Sequence, residues 1–193
     1  MRRQPAKVLA PDDVRLLLRH VDGRRHRYRD RVMVLLSFKA GLRACEIAGL
    51  EWPMLLDTSG AVDDQIILAR GITKGGHNRS VPIHRQLKIA LIKLHYRAGH
   101  PRDGPVIMSE RGCHMTAASV VNWFRDAYSS IGLNGCSSHS GRRTFITNAA
   151  RVIATTGGSL RDIQELAGHR SLTTTERYIA GNRPAQRKLV NLI

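Results

Sequence analysis

The apolar residues in the first fifty positions repeat at the three- and four-residue intervals of an α-helix. The first stripe begins behind Pro11 and two acidic residues, which suit the first turn of a helix, and it ends at Asp22-Gly23. The second stretch, residues 27–40, is broadly apolar and is expected at the centre of the molecule. Gly41 interrupts it, and a short third helix is predicted over residues 42–50.

Between positions 52 and 83 the pattern changes to short apolar segments separated by turn residues. The segments are residues 54–56, 65–68 and 80–83, and the separators read Asp-Thr-Ser-Gly and Gly-Gly-His-Asn. We therefore predict a small three-stranded antiparallel sheet, with residues 73–78 at the tip of its second hairpin.

Helical spacing returns beyond this sheet and continues to the end of the chain. Ser159 with Asp162 resembles a capping box, and Gly168 resembles a C-terminal cap. Helices are predicted near residues 87–94, 120–128, 141–154, 159–167 and 171–179, and from 184 onward. The predicted fold class is mainly α with a small three-stranded antiparallel β-sheet, in one domain over residues 11–193 behind a basic tail, residues 1–10.

The charge balance adds an expectation about partners. Lys and Arg number 31 against 15 Asp and Glu, which gives a formal net charge of +16. Such an excess favours binding to a polyanion, most commonly nucleic acid, although a ribosome-type scaffold protein or a generally basic surface has the same signature.

The three cysteines have no pairing pattern, and no signal peptide or membrane span is recognisable, so we expect a soluble cytoplasmic protein.

Several common catalytic motifs are missing from the sequence. It has no phosphate-binding Gly-x-x-x-x-Gly-Lys loop and no Gly-x-Ser-x-Gly turn. No His-Glu-x-x-His or cysteine pairs suggest zinc, and acidic residues for a two-metal nuclease are sparse. The sequence therefore predicts neither a metal nor a cofactor.

A different set of side chains suits a phosphodiester, because it combines fixed positive charge with a phenol. Taken singly, each member has an ordinary structural interpretation. Arg43, for example, lies three residues before Glu46, and this pair is either an oriented anion-binding group or only a structural ion pair. The candidate residues are Arg43, Lys74, His139, Arg142, His169 and Tyr178.

The order of these residues carries a resemblance to a known family. The stretches are Ala-Gly-Leu-Arg43-Ala-Cys-Glu-Ile, Thr-Lys74-Gly-Gly-His-Asn-Arg-Ser-Val-Pro-Ile, His139-x-x-Arg142 and Gly168-His169-Arg-Ser, followed by Tyr178. Together they resemble the catalytic set of the tyrosine recombinase, or phage integrase, family, with all six positions matched in order. The resemblance covers essentially the whole chain from Pro11.

The resemblance implies a role for each position. The two arginines would hold the non-bridging oxygens of the scissile phosphate, and His139 and His169 would donate hydrogen bonds to the same oxygens. Lys74 would protonate the departing 5′-hydroxyl, and Tyr178 would be the nucleophile that forms a 3′-phosphotyrosine. Neither metal nor ATP would be needed, because the arginines supply the charge and the covalent link keeps the bond energy.

The resemblance also implies partners and alternatives. Double-stranded DNA would be the substrate, and the protein would be mainly monomeric when free and a homotetramer on DNA, in a bacterial or phage setting at the nucleoid. Alternatives are a type IB topoisomerase-like activity and a DNA-binding regulator that has the fold without turnover. The terminal helix, with Leu189, Val190, Leu192 and Ile193, either packs on its own domain or docks on a neighbouring protomer.

Two departures from the family pattern stand out. Arg143 follows Arg142 where the family commonly has histidine, and we expect no effect of this on the reaction. The N-terminal core-binding domain of the family, which clamps DNA, has no counterpart here, so we expect this domain alone to bind DNA weakly and mostly through phosphates.

Overall fold

The fold is described from a computed structural model, in which residues 6–73, 78–178, 187, 190 and 191 are well enough placed for description. It is mainly helical. The helices are α1 (Pro11–Asp22), α2 (Arg27–Lys39), α3 (Ala44–Ala48), α4 (Arg85–Arg97), α5 (Ala117–Ser130), α6 (Ser140–Val152), α7 (Leu160–Ala167) and α8 (Leu172–Glu176). Short 3-10 helices cover Trp52–Met54 and Ile153–Thr156, and the strands are β1 (Gln65–Leu68) and β2 (Arg79–Pro82).

Helix α2 lies at the centre of the core, as its all-round apolar pattern predicts. Every residue from 32 to 38 is buried, including the hydroxyl-bearing Ser37. Helices α1, α3, α4 and α6 pack around it, so α2 links the parts of the chain that carry the candidate residues. The capping box of Ser159 and Asp162 at the start of α7 is confirmed, and so is the left-handed Gly168 at its end.

The sheet has two strands within the described residues, so the prediction of three was wrong. β1 and β2 pair antiparallel, with Gln65 opposite Pro82 and Leu68 opposite Arg79. The remaining predicted strand, residues 54–56, instead overlaps the end of the 3-10 helix Trp52–Met54, which contains Pro53; its fixed φ favours a turn and its nitrogen cannot donate to a ladder. Of residues 54–56, Leu56 makes an isolated antiparallel bridge, to Val62.

A second, smaller apolar cluster lies under the C-terminal helices. Its buried members are Ile146 of α6 and Ile163 and Ala167 of α7, and the ring of Tyr178 packs against it. This cluster holds α6, α7 and the segment after α8 together. Within the described residues, no helix has the length and apolar character needed to cross a membrane. The tip of the β1–β2 hairpin, residues 74–77, and most of the predicted terminal helix lie outside the described residues.

Candidate active site

A glycine turn after α2 places Arg43 at the edge of the core. Gly41 has φ +64, and a Cβ there would lie 2.4 Å from the ring of Phe145, so a side chain fits neither the backbone nor the space. The amide of Leu42 then donates to the carbonyl of Leu36 at 3.1 Å, which turns the chain back on the helix. Arg43 follows as the residue that precedes α3.

The guanidinium of Arg43 is oriented by a buried carboxylate. Nη1 of Arg43 donates to Oε1 of Glu46 at 2.8 Å, and the backbone amide of Arg43 donates to Oε2 at 2.8 Å. Glu46 is fully buried, whereas a fifth of the Arg43 side chain remains exposed. The second amino group, Nη2, donates to the carbonyl of Gly168 at 3.3 Å. The structural ion pair is therefore present, and it starts α3 and orients the guanidinium; anion binding by Arg43 stays a prediction.

Arg142 lies in the first turn of α6 and is buried, with only 5% of the residue exposed. Its Nη1 donates to the carbonyl of Gly41 at 2.6 Å and its Nη2 to the carbonyl of Ala167 at 2.5 Å. Burial, followed by the nearby charge of Arg43, lowers the pKa of Arg142 to about 9. The side chain is therefore still a cation at neutral pH.

The cap of α7 fixes His169. Gly168 adopts φ +60, and the amide of His169 donates to the carbonyl of Gln164 at 3.0 Å, while the Gln164 side-chain amide donates to the carbonyl of His169 at 3.0 Å. The imidazole Nδ1 lies 3.0 Å from the hydroxyl of the buried Thr175. Burial, followed by the charges of Arg142 and Arg43, lowers the pKa of His169 to about 4.

Tyr178 lies directly against this histidine. The two rings stack with centroids 5.7 Å apart and planes at 23°. The guanidinium of Arg143 lies over the phenol ring of Tyr178, with its central carbon 5.9 Å from the ring centroid. The phenol of Tyr178 also acts to raise the pKa of Arg142, against the larger effect of burial. Arg143, expected to have no bearing on the reaction, is thus in contact with the candidate nucleophile.

Two of these side chains, Arg43 and His169, border an open cleft of about 630 Å³ between α3, β2 and α7. Arg43 and His169 line it from opposite elements, and Arg161 and Arg170 add positive charge at its edge. A cleft with convergent cations is suited to an anionic group such as a phosphodiester. Its lining consists of Arg43, Glu46, Thr73, Asn78, Arg79, Ser80, Arg161, Gln164, Glu165, Gly168, His169 and Arg170.

The six candidates are not placed equally. Arg43, Arg142, His169 and Tyr178 come together from four separate segments through the contacts above. His139 is exposed at the N-cap of α6, three residues before Arg142, with its amide donating to Ser137 Oγ at 3.3 Å. Lys74 lies outside the described residues, although Thr73 and Asn78 on either side of the hairpin tip line the cleft.

Sequence reasoning missed two residues that organise the site. Arg79 of β2 makes a second ion pair with Glu46, Nη2 to Oε2 at 3.0 Å. Thr175 provides the partner for Nδ1 of His169. For Arg79 a signal existed, since strand alternation places it on the same face as the buried Val81. For Thr175, within three consecutive threonines, the sequence contains no signal that distinguishes it from its neighbours.

Comparison with known proteins identifies a family for the chain. The model of the phage integrase family matches residues 7–183. Among curated relatives, the tyrosine recombinase XerD of Mycobacterium leprae is 31% identical over 195 residues, which cover 92% of this chain and 57% of the relative. The tyrosine recombinase XerC of Pelobacter propionicus is 33% identical over 157 residues, covering 78% of this chain and 47% of the relative. The chain spans about half the length of these relatives.

Solved structures share the fold. The Tn1549 transposon integrase in complex with circular intermediate DNA has a TM-score of 0.77 at 19% identity, covering 100% of this chain and 69% of that one. The XerH site-specific recombinase bound to its difH substrate has a TM-score of 0.74 at 18% identity, covering 98% of this chain and 55% of that one. At these identities the likeness shows the fold alone.

Proposed function

Because the chain belongs to the phage integrase family, we propose that it breaks and rejoins double-stranded DNA at specific sites, with Tyr178 as the nucleophile. The convergence of Arg43, Arg142, His169 and Tyr178, with Arg43 and His169 lining one cleft, is the observation that carries this proposal. Two cations, a hydrogen-bond donor and a phenol are brought together from four segments of the chain. Around a phosphodiester they form a complete set for attack and charge stabilisation.

The two arginines act on the non-bridging oxygens of the phosphate. Arg43 is held by Glu46 but keeps part of its guanidinium exposed in the cleft, and Arg142 has its two amino groups anchored on backbone carbonyls. Because both are fixed before DNA arrives, they stabilise the pentacoordinate transition state without reorganising. They supply the positive charge that a metal ion supplies in other phosphoryl-transfer sites.

His169 acts as a neutral hydrogen-bond donor. Since its pKa is lowered to about 4, the ring is uncharged at neutral pH. If the hydroxyl of Thr175 donates to Nδ1, the ring N–H is at Nε2, and this N–H donates a hydrogen bond to the phosphate. His139 donates to the same phosphate from the N-terminus of α6 and helps to remove the phenolic proton.

The reaction exchanges one phosphoester for another. Oη of Tyr178 attacks the phosphorus while its proton passes to the second ring nitrogen of His139, a 3′-phosphotyrosine forms, and the bond to the 5′-oxygen breaks. Lys74, at the hairpin between β1 and β2, gives its proton to the departing 5′-hydroxyl. The reverse reaction with a 5′-hydroxyl from another strand completes recombination. Atoms and charge balance without ATP or an oxidant.

The partner is double-stranded DNA, first bound through its phosphates. A net charge of +16 supports strong, salt-sensitive and largely sequence-independent attraction. On DNA we propose a homotetramer, and in its absence a monomer, because like charge opposes association until DNA neutralises it.

The test is the formation of a covalent adduct on nicked duplexes that tile the DNA flanking the gene. We expect the full chain to form the covalent adduct even in the presence of excess EDTA. Tyr178→Phe should abolish the adduct with DNA affinity nearly unchanged, because only a hydroxyl is lost. The adduct should be mapped by mass spectrometry.

Tyr28→Phe is the matched control. A hydrogen bond from Arg27 lowers the pKa of Tyr28, so its phenol is the chemically plausible competitor, yet it lies at the start of α2. Helix α2 has 13 residues, which separates Tyr28 from the Arg43 end by about 20 Å. An adduct that survives Tyr178→Phe and is lost in Tyr28→Phe would refute the assignment. Resealing without strand exchange would indicate the topoisomerase-like activity instead.

A further inference from the structure

Arg79 is a buried arginine at the floor of the candidate active site that the proposed reaction does not use. It is the first residue of β2 and lines the cleft, yet only 8% of its side chain is exposed. Its Nη2 reaches across to α3 and donates to Oε2 of Glu46 at 3.0 Å. A residue of the strand that leads away from the hairpin tip is thus bonded to the carboxylate that holds Arg43.

The carboxylate of Glu46 is divided between the two arginines. Oε1 accepts from Nη1 of Arg43 at 2.8 Å, while Oε2 accepts from Arg79 and from the backbone amide of Arg43. Arg43 itself holds both oxygens, and Arg79 adds a donor to Oε2 from a separate element, β2. This added bond restrains the plane of the carboxylate, and with it the direction in which Oε1 holds the guanidinium of Arg43.

Stability does not account for Arg79. Its Nε and Nη1 are buried and have no hydrogen-bond partner in the part of the chain that is described. Burial, opposed by Glu46 and reinforced by the like charge of Arg43, lowers the pKa of the group. Burying a cation with unsatisfied donors is unfavourable, and an apolar side chain of similar volume is often better for stability.

The neighbouring backbone is also shaped around Arg79. A Cβ at Gly168 would lie 2.5 Å from Nη1 of Arg79, so the cap of α7 has room for the guanidinium only because it is glycine. The carbonyl of the same glycine accepts from Nη2 of Arg43 at 3.3 Å. Arg79 is therefore packed between the two elements that hold Arg43.

We propose that Arg79 is a positioning residue: through Glu46 it fixes the direction of the Arg43 guanidinium toward the phosphate. The inference rests on the proposed function, since Arg43 is taken to bind the scissile phosphate. Arg79 also begins the strand after the Lys74 hairpin, so the competing explanation is a path through Lys74, in which Arg79 acts by positioning Lys74. The two paths differ in what they change, because Arg43 acts on non-bridging oxygens and Lys74 on the leaving oxygen.

The experiment compares Arg79→Met, which keeps the volume and removes the charge, with Arg79→Lys, which keeps the charge. The control is Arg125→Met, because Arg125 is exposed on α5 and paired with Asp126. Single-turnover cleavage at saturating DNA should fall on the order of tenfold to a hundredfold in Arg79→Met, with DNA affinity within about twofold of wild type. Arg79→Lys should recover part of the rate, and the control should match wild type.

A 5′-bridging phosphorothiolate separates the two paths, because its thiolate leaves without protonation. The loss in Arg79→Met should persist on this substrate, whereas Lys74→Ala should be rescued. Rescue of Arg79→Met would show that Arg79 acts through Lys74 and would overturn the proposal. Glu46→Gln combined with Arg79→Met should cost no more than the more severe single variant, and additive losses would equally overturn it.

A measurement without DNA separates this inference from the proposed reaction. Nitrogen-15 NMR of the arginine side chains, assigned with Arg43→Lys, should show slow rotation about the Cζ–Nε bond of Arg43 in wild type. In Arg79→Met the Nη signals of Arg43 should average. If wild type forms no DNA adduct but the Arg43 signals still average on going from wild type to Arg79→Met, the proposed function fails and the positioning role stands. If the Arg43 signals are identical in both proteins, the positioning role fails, whatever the cleavage result.

Discussion

At the scale of single residues, burial and then the neighbouring cations lower the pKa of the histidine of the site. His169 is half-buried and lies among Arg142, Arg43 and Arg79, so a proton on its ring would be both poorly solvated and repelled. Its pKa is lowered from the ordinary 6.5 to about 4. The ring therefore contributes a hydrogen bond to the site and no charge.

This pKa predicts a pH dependence of stability. Between pH 6.5 and about 4 the unfolded chain binds a proton at His169 that the folded chain does not. The free energy of unfolding contributed by this residue is therefore fully present above pH 6.5 and is lost as the pH falls toward 4. Urea denaturation of wild type and His169→Gln across this range measures the difference. Parallel pH profiles in the two proteins would contradict the lowered pKa.

At the scale of the elements, the two candidate arginines join the turn after α2 to the C-terminal end of α7. Arg142 bonds the carbonyls of Gly41 and Ala167, and Arg43 bonds the carbonyl of Gly168. Both carbonyls of α7 belong to its last turn and cap, where the helix dipole favours a cation. The groups that would hold the phosphate thus also set the distance between the elements that present them.

The turn at Gly41 should accordingly be sensitive for both stability and activity. Gly41→Ala places a side chain at φ +64 and against Phe145, whereas Gly112→Ala, the control, has φ +79 with nothing within 4 Å. The left-handed backbone costs about 1–2 kcal/mol at either site. We expect a larger loss of unfolding free energy at Gly41, measured by denaturation, and slower cleavage there alone. Equal losses in the two variants would mean that the contact with Phe145 does not matter.

At the scale of the whole molecule, the apolar surface of the chain end bears on assembly. The predicted terminal helix carries Leu189, Val190, Leu192 and Ile193, and Val190 is 68% exposed. Apolar side chains on one helix are normally covered, either by the same protomer or by a neighbour. A head-to-tail contact between protomers closes into a ring when its rotation allows, as the proposed tetramer requires.

Deletion of residues 188–193 tests this assembly. We expect cleavage of an isolated site to be retained and DNA-dependent association to be lost, because the deleted helix would dock on a neighbour rather than complete the site. Sedimentation with and without DNA measures association, and adduct formation on a nicked duplex measures cleavage. An unfolded product, or association equal to that of the full chain, would place the helix on its own domain.

The sequence by itself determined the features that depend on local interactions. The helices α1, α2, α4 and α5 follow from apolar spacing, and the boundaries of α7 follow from Ser159, Asp162 and Gly168. The order of the candidate residues was sufficient to identify the family, because six positions in series are specific although each one alone is not. Periodicity and capping act within a few residues, so they can be deduced from the chain alone.

Only the tertiary structure decided what depends on distant neighbours. Arg79 became part of the site, Arg143 came to lie over Tyr178, and His169 lost its charge. Each outcome depends on burial and on charges brought together from segments up to about 130 positions apart, such as Arg43 and Gly168. Desolvation and pairing across such separations arise only when the chain has folded.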